Sequence, residues 1–297
     1  MADGLVGVIG LGSMGYGMAQ SCVRAGLRTW GHDINPDLCA KLQAEGGQAG
    51  ETQWADLSAL VVVVLNAAQL ETVLFGADGA APKMSAGAVV VACPTIPPAT
   101  AKDLAARCSG LGLHYLDAPI SGGAAKAAQG ALSIMAAGTA EAFAAARPVL
   151  EATAETVFEL GDHAGPGSAM KATNQMLAGV HIAVMGEALA FGISQGIAPD
   201  TVLKVIRQCA GTSWMLENRA PHVVAGDYSP LSQINIWPKD LGIVREIAEA
   251  AGLETPITAT ALAQYMQAAD MGLGHEDDAA ITKVYARQAG LTLPGER

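Results

Sequence analysis

The feature that most constrains the fold of this chain is a glycine pattern after a short apolar run near its start. Residues 6–9 are apolar, and glycines follow in the order G-x-G-x-x-G before a stretch that can form a helix. The first glycine permits a tight turn, the second lets backbone N–H groups approach a pyrophosphate, and the third lets the helix pack closely. A turn without a ligand is the alternative. In this context the pattern predicts a dinucleotide contact at Gly10, Leu11, Gly12, Ser13, Met14 and Gly15.

A second apolar run, residues 27–32, strengthens this interpretation because it ends at Asp33, which lies 23 positions beyond Gly10. A carboxylate at the end of the second strand can accept hydrogen bonds from both ribose hydroxyls of the adenosine. It would also repel a 2′-phosphate. The sequence therefore predicts NAD rather than NADP, the alternative being an ordinary aspartate at a strand end.

Apolar runs then recur along the first half of the chain, separated mostly by alanine-rich helical segments. This alternation predicts an α/β, Rossmann-type, doubly wound domain. The segment GDHAGPG, residues 161–167, is a turn cluster after which helical periodicity dominates. We expect a NAD-binding domain over residues 1–164 and an all-α domain for substrate binding and oligomerisation over residues 165–297, linked by a long helix. The strand runs cover residues 59–65, 88–92, 113–116, 132–136 and 156–160.

The second half predicts helices and few strands. Residues 168–195 are apolar or small around the whole helix circumference, which is typical of a buried helix. Further helices are expected over residues 199–208, 239–251, 257–269 and 277–289. The acidic residues Glu276, Asp277 and Asp278 suit the positive end of the last of these, as capping groups.

Composition limits the classes of partner. A net charge of −11 over 297 residues argues against a surface that binds nucleic acid or a polybasic membrane contact. The five cysteines form no C-x-x-C pair, their number is odd, and no secretory leader precedes the first strand. We therefore expect the protein to be located in the reducing cytoplasm. No metal site is predicted. The longest purely apolar stretch, residues 59–65, is too short to span a bilayer.

Chemistry is expected where the two halves meet. The segment DAPISGGAAKAAQ follows a strand and leads into a helix, which places Ser121, Gly122 and Gly123 at the carboxyl edge of the sheet. Adjacent glycine N–H groups can converge on an anion, and the serine hydroxyl adds a donor. The segment predicts a site for a substrate carboxylate, with a flexible connection as the alternative.

Lys171 lies within the long apolar helix. Since desolvation of an ammonium group is costly, this lysine should face a polar cleft. Burial and nearby donors would lower its pKa, so that it could accept an alcohol proton during oxidation. Asn174 and Gln175 lie three and four positions on, roughly on the same helix face, as candidate substrate ligands. A surface lysine near a helix start is the alternative.

Four further residues complete the predicted cofactor pocket. Leu65 and Asn66 end one buried strand run, and Thr95 ends the next, so the polar residues Asn66 and Thr95 should lie over the nicotinamide half. Lys239, near the start of a later helix, supplies a second cation for cofactor or substrate. A solvated lysine beside a first-turn aspartate is the alternative for Lys239.

The segments GLGSMG, DAPISGG, GSAMKATNQ and WPKDLGIV occur in the order and spacing of four signature segments of the β-hydroxyacid dehydrogenase family. The chain resembles this family over essentially its whole length. The resemblance implies a Rossmann-type domain, a helical domain with the long linking helix, and NAD-dependent oxidation of a small hydroxy acid. It implies Lys171 as the catalytic acid/base, Ser121 to Gly123 as substrate ligands, and Thr95 and Lys239 as cofactor contacts.

Two departures from the family pattern bear on the pocket. Many members carry asparagine four residues after the lysine, where this chain has Gln175. Members that prefer NADP tend to have an asparagine and arginine pair where this chain has Asp33 and Ile34, in agreement with the electrostatic argument for NAD.

The resemblance further implies oxidation of L-threonate at C2 to 2-dehydro-L-erythronate, which is the leading expectation. One alternative is activity as a 3-hydroxyisobutyrate dehydrogenase or a tartronate semialdehyde (D-glycerate) reductase. The other alternative is a non-catalytic NAD-sensing module. A homodimer or homotetramer is expected from the apolar helical surface and from the resemblance.

Overall fold

The computed structural model of the protein describes residues 4–51 and 54–295. The chain divides into two compact units, Met1–Lys171 and Ala172–Arg297, and each is described by itself. The functional division predicted after residue 164 stays a prediction.

The first unit is built on a five-stranded parallel sheet with strand order β2-β1-β3-β4-β5. The strand order reverses beside β1, which makes the carboxyl ends of β1 and β3 the expected ligand crevice of such a sheet. The predicted Rossmann-type architecture is confirmed. The strands are β1 (Leu5–Ile9), β2 (Thr29–His32), β3 (Leu57–Val62), β4 (Val89–Ala92) and β5 (His114–Asp117).

Both faces of this sheet are buried: successive strand residues face opposite sides, and an apolar cluster covers each side. In β3, Val61 contributes to one apolar cluster and Leu60 to the other. Continuous apolar runs, rather than alternating ones, are therefore the sequence signature of these strands. The helices of the unit are α1 (Gly15–Arg24), α2 (Pro36–Ala44), α3 (Ala67–Phe75), α4 (Pro98–Gly110), α5 (Gly123–Gln129) and α6 (Ala140–Thr153), with short 3-10 turns at Trp54–Asp56 and Ala81–Lys83.

One strand prediction was too long. The run over residues 59–65 predicted a strand to Leu65, but β3 ends at Val62 and Leu65 is exposed. The reason is local: Asn66 Oδ1 accepts a hydrogen bond from the Gln69 N–H and caps α3, so the chain has already turned.

A second, three-stranded sheet has the order β6-β7-β8, made of β6 (Ile120–Ser121), β7 (Leu132–Ala136) and β8 (Ala154–Glu159). The short β6 pairs antiparallel with β7, while β7 and β8 are parallel. The pairing of Ile120 with Ile134 fixes the strand segment that leads directly into the two glycines of the predicted carboxylate site.

The long helix α7 (Pro166–Ser194) contains the division between the units, which falls after Lys171. The prediction that this helix is buried all round was wrong for one face. Leu177, Val184 and Phe191 are each more than half exposed, and they recur every seven residues. By length and composition alone α7 could cross a membrane. Composition does not distinguish an exposed apolar stripe from a buried one, because that depends on what packs against the helix.

In the second unit, α7 packs with α8 (Pro199–Ile206), α9 (Trp214–Ala225), α10 (Ile236–Ala250), α11 (Pro256–Ala268) and α12 (Thr282–Gln288) around one apolar cluster. A π-helical turn spans Ala269–Leu273 and a 3-10 turn spans Asp278–Ile281. Helix α9 has no counterpart in the sequence predictions, since Pro221 interrupts its pattern. Two residues at its ends are typical of helix boundaries and could have predicted it. Ser213 caps the start, and Gly226 follows the end in the left-handed conformation.

The acidic cluster before the last helix divides into different roles. Asp277 accepts from the Ala279 N–H and caps the 3-10 turn, as expected of a capping residue. The same expectation was wrong for Asp278, which is fully buried and pairs with Arg219 Nε at 2.6 Å. Its other carboxylate oxygen accepts from Trp237 Nε1 at 3.0 Å. Glu276 pairs with Lys283.

Candidate active site

The glycine turn after β1 has the geometry of a phosphate cradle. Gly10 has φ +90°, a conformation that L side chains rarely adopt. A Cβ at Gly15 would lie 1.8 Å from the Gly10 oxygen, whereas one at Gly12 would meet nothing within 4 Å. Gly15 thus allows the close packing of α1, and Gly12 leaves its backbone open to a ligand. Among the described residues, no side chain caps the start of α1, whose N–H groups can therefore bind an anion.

Asp33, directly after β2, is tied to this turn. Its Oδ2 accepts from the Leu11 N–H at 2.7 Å, and its Oδ1 accepts from the Asn35 N–H at 2.8 Å. Two backbone donors hold the carboxylate at the carboxyl end of β2, and its remaining lone pairs can accept from hydroxyl groups. The cradle and this carboxylate together fit the adenosine diphosphate half of a dinucleotide.

The loop after β6 carries two consecutive glycines in the left-handed region, Gly122 with φ +134° and Gly123 with φ +75°. Ser121 ends the strand, and Gly123 begins α5. A Cβ at Gly123 would meet nothing within 4 Å, so its backbone is approachable. Consecutive N–H groups in such a turn form a concave donor surface that suits a carboxylate.

Lys171 is buried, with 8% of its surface exposed. Its Nζ donates to the Ile120 carbonyl oxygen at 2.9 Å. Ile120 precedes Ser121, so the ammonium group lies at the strand that opens the glycine loop. The structure thus brings together the predicted proton carrier and the predicted carboxylate site, all within the first unit.

A residue to which the sequence analysis gave no role, Asp117, supports this arrangement. It is buried at the end of β5 and accepts from Ser168 Oγ at 2.6 Å and from the Gly165 and Ser168 N–H groups at 2.9 Å each. Burial raises the pKa of Asp117, and the hydrogen bonds from Ser168 and the backbone offset part of that rise. A polar residue at a strand end, four positions before the serine of an S-G-G loop, was the available signal.

In the second unit the predicted amides form a hydrogen-bonded chain. Asn174 Nδ2 donates to Gln175 Oε1 at 3.0 Å, and Gln175 Nε2 donates to Asp240 Oδ2 at 2.5 Å. The other oxygen of Asp240 lies 2.5 Å from Lys239 Nζ. Asp240 is buried, and Lys239, for which a solvated lysine was the alternative, has 29% of its side chain exposed. The Asp240 carboxylate fixes both the Gln175 amide and the Lys239 ammonium group.

The remaining predicted cofactor contacts are placed as follows. Asn66 uses its Oδ1 to cap α3, and the exposed Leu65 donates its N–H to Gln69 Oε1. Thr95 is buried in the connection between β4 and α4. Their contact with a nicotinamide ring stays a prediction.

The possible metal ligands and the thiols can be located in the part of the chain that the structure describes. No group of three or more His, Cys, Asp or Glu side chains there could hold a metal ion. All five cysteines are free, and burial raises the pKa of the Cys22 and Cys93 thiols to about 12. These two thiols are therefore poor nucleophiles.

The parallel sheet, the open glycine cradle and the carboxylate at the end of β2 define a nicotinamide-dinucleotide-binding oxidoreductase fold. Comparison with known families gives the narrower class. Residues 5–161 match the NAD binding domain of 6-phosphogluconate dehydrogenase, and residues 165–285 match the NAD-binding domain of NADP-dependent 3-hydroxyisobutyrate dehydrogenase. The chain belongs to the 3-hydroxyisobutyrate dehydrogenase family of NAD(P)-dependent hydroxyacid dehydrogenases, which confirms the resemblance found in its sequence.

Individual relatives match over nearly the whole chain. L-threonate dehydrogenase of Escherichia coli O6:H1 is 46% identical, covering 98% of this chain and 97% of its own. The L-threonate dehydrogenase of Haemophilus influenzae is 44% identical, covering 97% and 96%. A crystal structure of 3-hydroxyisobutyrate dehydrogenase from Salmonella typhimurium is 48% identical with a TM-score of 0.90, covering 95% of this chain and 100% of that one. The names of these relatives specify two different hydroxy acids.

Proposed function

We propose that this protein oxidises L-threonate at C2 to 2-dehydro-L-erythronate, with NAD as acceptor and Lys171 as the general acid/base. The hydrogen bond from Lys171 Nζ to Ile120, at the strand that opens the Ser121–Gly123 loop, carries the proposal. A buried ammonium group beside a carboxylate cradle can exchange a proton with a hydroxyl on the carbon next to that carboxylate. Relatives about 45% identical are L-threonate dehydrogenases, which supports this substrate.

In this proposal Gly122 and Gly123 bind the substrate carboxylate through their N–H groups, and Ser121 holds a substrate hydroxyl. This attachment fixes which carbon faces the cofactor. The neutral amine of Lys171 accepts the alcohol proton as the carbonyl forms, and in the reverse direction it returns that proton. A bound nicotinamide supplies the hydride acceptor. Asn174 and Gln175 would donate to the remaining hydroxyls.

The cofactor assignment rests on Asp33. The residues proposed to hold the dinucleotide are Gly10, Leu11, Gly12, Ser13, Met14, Gly15, Asp33, Leu65, Asn66, Thr95 and Lys239. Because Asp33 is anchored by two backbone N–H groups, it cannot easily turn away from a 2′-phosphate, and repulsion between like charges favours NAD.

We propose three further properties. Residues 1–164 bind the cofactor, and residues 165–297 serve substrate binding and oligomerisation. This division accords with family matches over residues 5–161 and 165–285. A homodimer or homotetramer accords with the exposed apolar stripe of Leu177, Val184 and Phe191. A cytoplasmic location accords with the free cysteines.

The test is NADH formation by the purified protein on L-threonate, 3-hydroxyisobutyrate and D-glycerate, each with NAD and with NADP. We expect the highest kcat/KM for L-threonate with NAD. K171A should lower kcat by about 10³-fold, the loss of general acid/base catalysis, while NADH still binds. K204A, which removes an exposed lysine from α8, is the matched control and should retain wild-type kcat.

Each part of the proposal can fail separately. Near-normal kcat in K171A would overturn the role of the lysine. A higher kcat/KM on 3-hydroxyisobutyrate would favour the activity named for the Salmonella structure. NAD binding with no turnover of any acid would favour a sensor.

A further inference from the structure

The first turn of α7 carries an unusual cap. Gly165 precedes the helix, and the Ala169 N–H donates to the Gly165 oxygen in the first helical bond. Helix starts are usually capped by a Ser, Thr, Asp or Asn at this position, but glycine has no side chain to accept from the first N–H groups. Here the acceptor comes from Asp117, some fifty residues earlier: Oδ2 binds the N–H groups of Gly165 and Ser168 at 2.9 Å each, and Oδ1 binds the Ser168 hydroxyl at 2.6 Å.

Asp117 is itself held firmly. Its backbone N–H donates to the Ala137 oxygen at 3.0 Å, and its oxygen accepts from the Ala137 N–H at 2.9 Å. In β5 it also pairs with Ala92 of β4. With 1% of its surface exposed, the residue cannot move without disturbing the pairing around it. The carboxylate is therefore a fixed point on the sheet.

The helix start also lies directly on this strand. A Cβ at Gly167 would come within 2.5 Å of the backbone oxygens of both Asp117 and Met135. Only glycine permits such an approach, and it leaves little freedom for the helix to shift. Close packing and the side-chain cap thus act on the same turn of α7.

The spacing links this cap to the proposed proton carrier. Ser168 and Lys171 are three residues apart on α7, so their side chains lie on the same side of the helix. Asp117, the last residue of β5, and Ile120, the first residue of β6, are likewise three residues apart, in the segment that joins the two strands. Ser168 binds Asp117 and Lys171 binds Ile120, so two contacts, one helical turn apart, join the same two segments.

We propose that Asp117 is the positioning residue for Lys171: by capping α7 from the end of β5, it sets the distance between the lysine Nζ and the Ser121–Gly123 loop. The inference rests on the proposed function, because it concerns the same lysine. Asp117 does not touch the substrate and contributes only through the place where it holds the start of α7.

The experiment compares D117A and D117N with the wild type on the hydroxy acid that the wild type turns over fastest. Without the cap the lysine is displaced, and a misplacement of about 1 Å costs on the order of 100-fold in kcat. We expect D117A to show that loss while its KM for NAD stays near the wild-type value. D117N should recover most of the lost kcat, because its amide oxygen still accepts from the backbone N–H groups and its N–H can donate to Ser168.

The matched control is T139A, which removes another helix cap of the same unit: Thr139 Oγ1 accepts from the Ala142 N–H at the start of α6. It should lower thermal stability and leave kcat near the wild-type value. If D117A does not fold, S168A replaces it in the test. We expect S168A to lower kcat about fivefold, which corresponds to the loss of about one hydrogen bond, while its KM for NAD stays unchanged.

Two results would overturn the inference. One is wild-type kcat in D117A, or in S168A if D117A does not fold. The other is an equal loss in D117A, D117N and T139A, which would indicate general destabilisation. K171A separates this failure from that of the proposed function. If K171A is inactive and D117A is fully active, only the positioning role of Asp117 is wrong, whereas an active K171A refutes the role of the lysine itself.

Discussion

Replacing Arg219 by methionine should expose how strongly the second unit depends on one buried ion pair. Arg219 Nε lies 2.6 Å from Asp278 Oδ1 and 4.0 Å from Asp277 Oδ1, and neither carboxylate is exposed. R219M keeps the apolar stem but leaves two buried carboxylates without their cation. Removal of one partner of a buried pair costs about 3–5 kcal/mol, so we expect a loss of that size in the free energy of unfolding at pH 8.5.

The loss of stability in R219M should change with pH in one definite direction. Burial is the main cause that raises the pKa of Asp278 to about 6, and the attraction of Arg219 opposes it. A carboxyl pKa raised above its unfolded value favours folding at low pH, and this contribution is lost as pH rises from about 4 to about 6. Without Arg219 the pKa rises further. The Asp278 carboxyl of R219M is then protonated at pH 6. The loss in free energy of unfolding caused by R219M should therefore be smaller at pH 6 than at pH 8.5.

Urea denaturation followed by circular dichroism measures this deficit, at two pH values that lie above the isoelectric point near 4.9. The double variant R219M/D278N removes one of the two unpaired charges, the one that lies nearer to Arg219, and keeps an acceptor for Trp237 Nε1, so it should regain much of the lost stability. The reasoning is refuted if R219M costs less than about 1 kcal/mol, which is typical of an exposed pair. An equal deficit at both pH values, or a double variant less stable than R219M, would refute it as well.

Two further predictions concern the cofactor and the assembly. D33N should raise the KM for NAD about tenfold, the equivalent of about 1.4 kcal/mol. It should also lower the ratio of kcat/KM for NAD to kcat/KM for NADP in steady-state kinetics. D37N, on the neighbouring helix, is the control, and an unchanged preference would remove Asp33 from the explanation. V184E places a charge in the middle of the exposed stripe on α7 and should lower the mass measured by light scattering, whereas Q195E should not. A V184E protein of unchanged mass would show that the stripe is not the subunit interface.

The parts of the fold that the sequence predicted well are those governed by local chemistry. Gly10 and Gly15 are required by backbone conformation and close packing, and both requirements can be inferred from a strand followed by a G-x-G-x-x-G turn. The buried strands are also evident, because a sheet covered on both faces needs apolar residues at every position. Helix α9 was harder to predict, since the burial of its apolar face outweighs the cost of Pro221 inside it.

At the candidate site, local sequence patterns were enough to single out two candidate side chains, namely Lys171 in an apolar helix and Ser121 before two glycines. The buried carboxylates that fix the neighbouring groups could not be inferred from these local patterns. Asp117 and Asp240 are ordinary aspartates in the sequence, and their importance comes from burial and from hydrogen bonds to residues about fifty and sixty-five positions away in the chain. Local patterns encode conformation and propensity, but the partner of a buried charge is set by which distant segments the fold brings within about 3 Å.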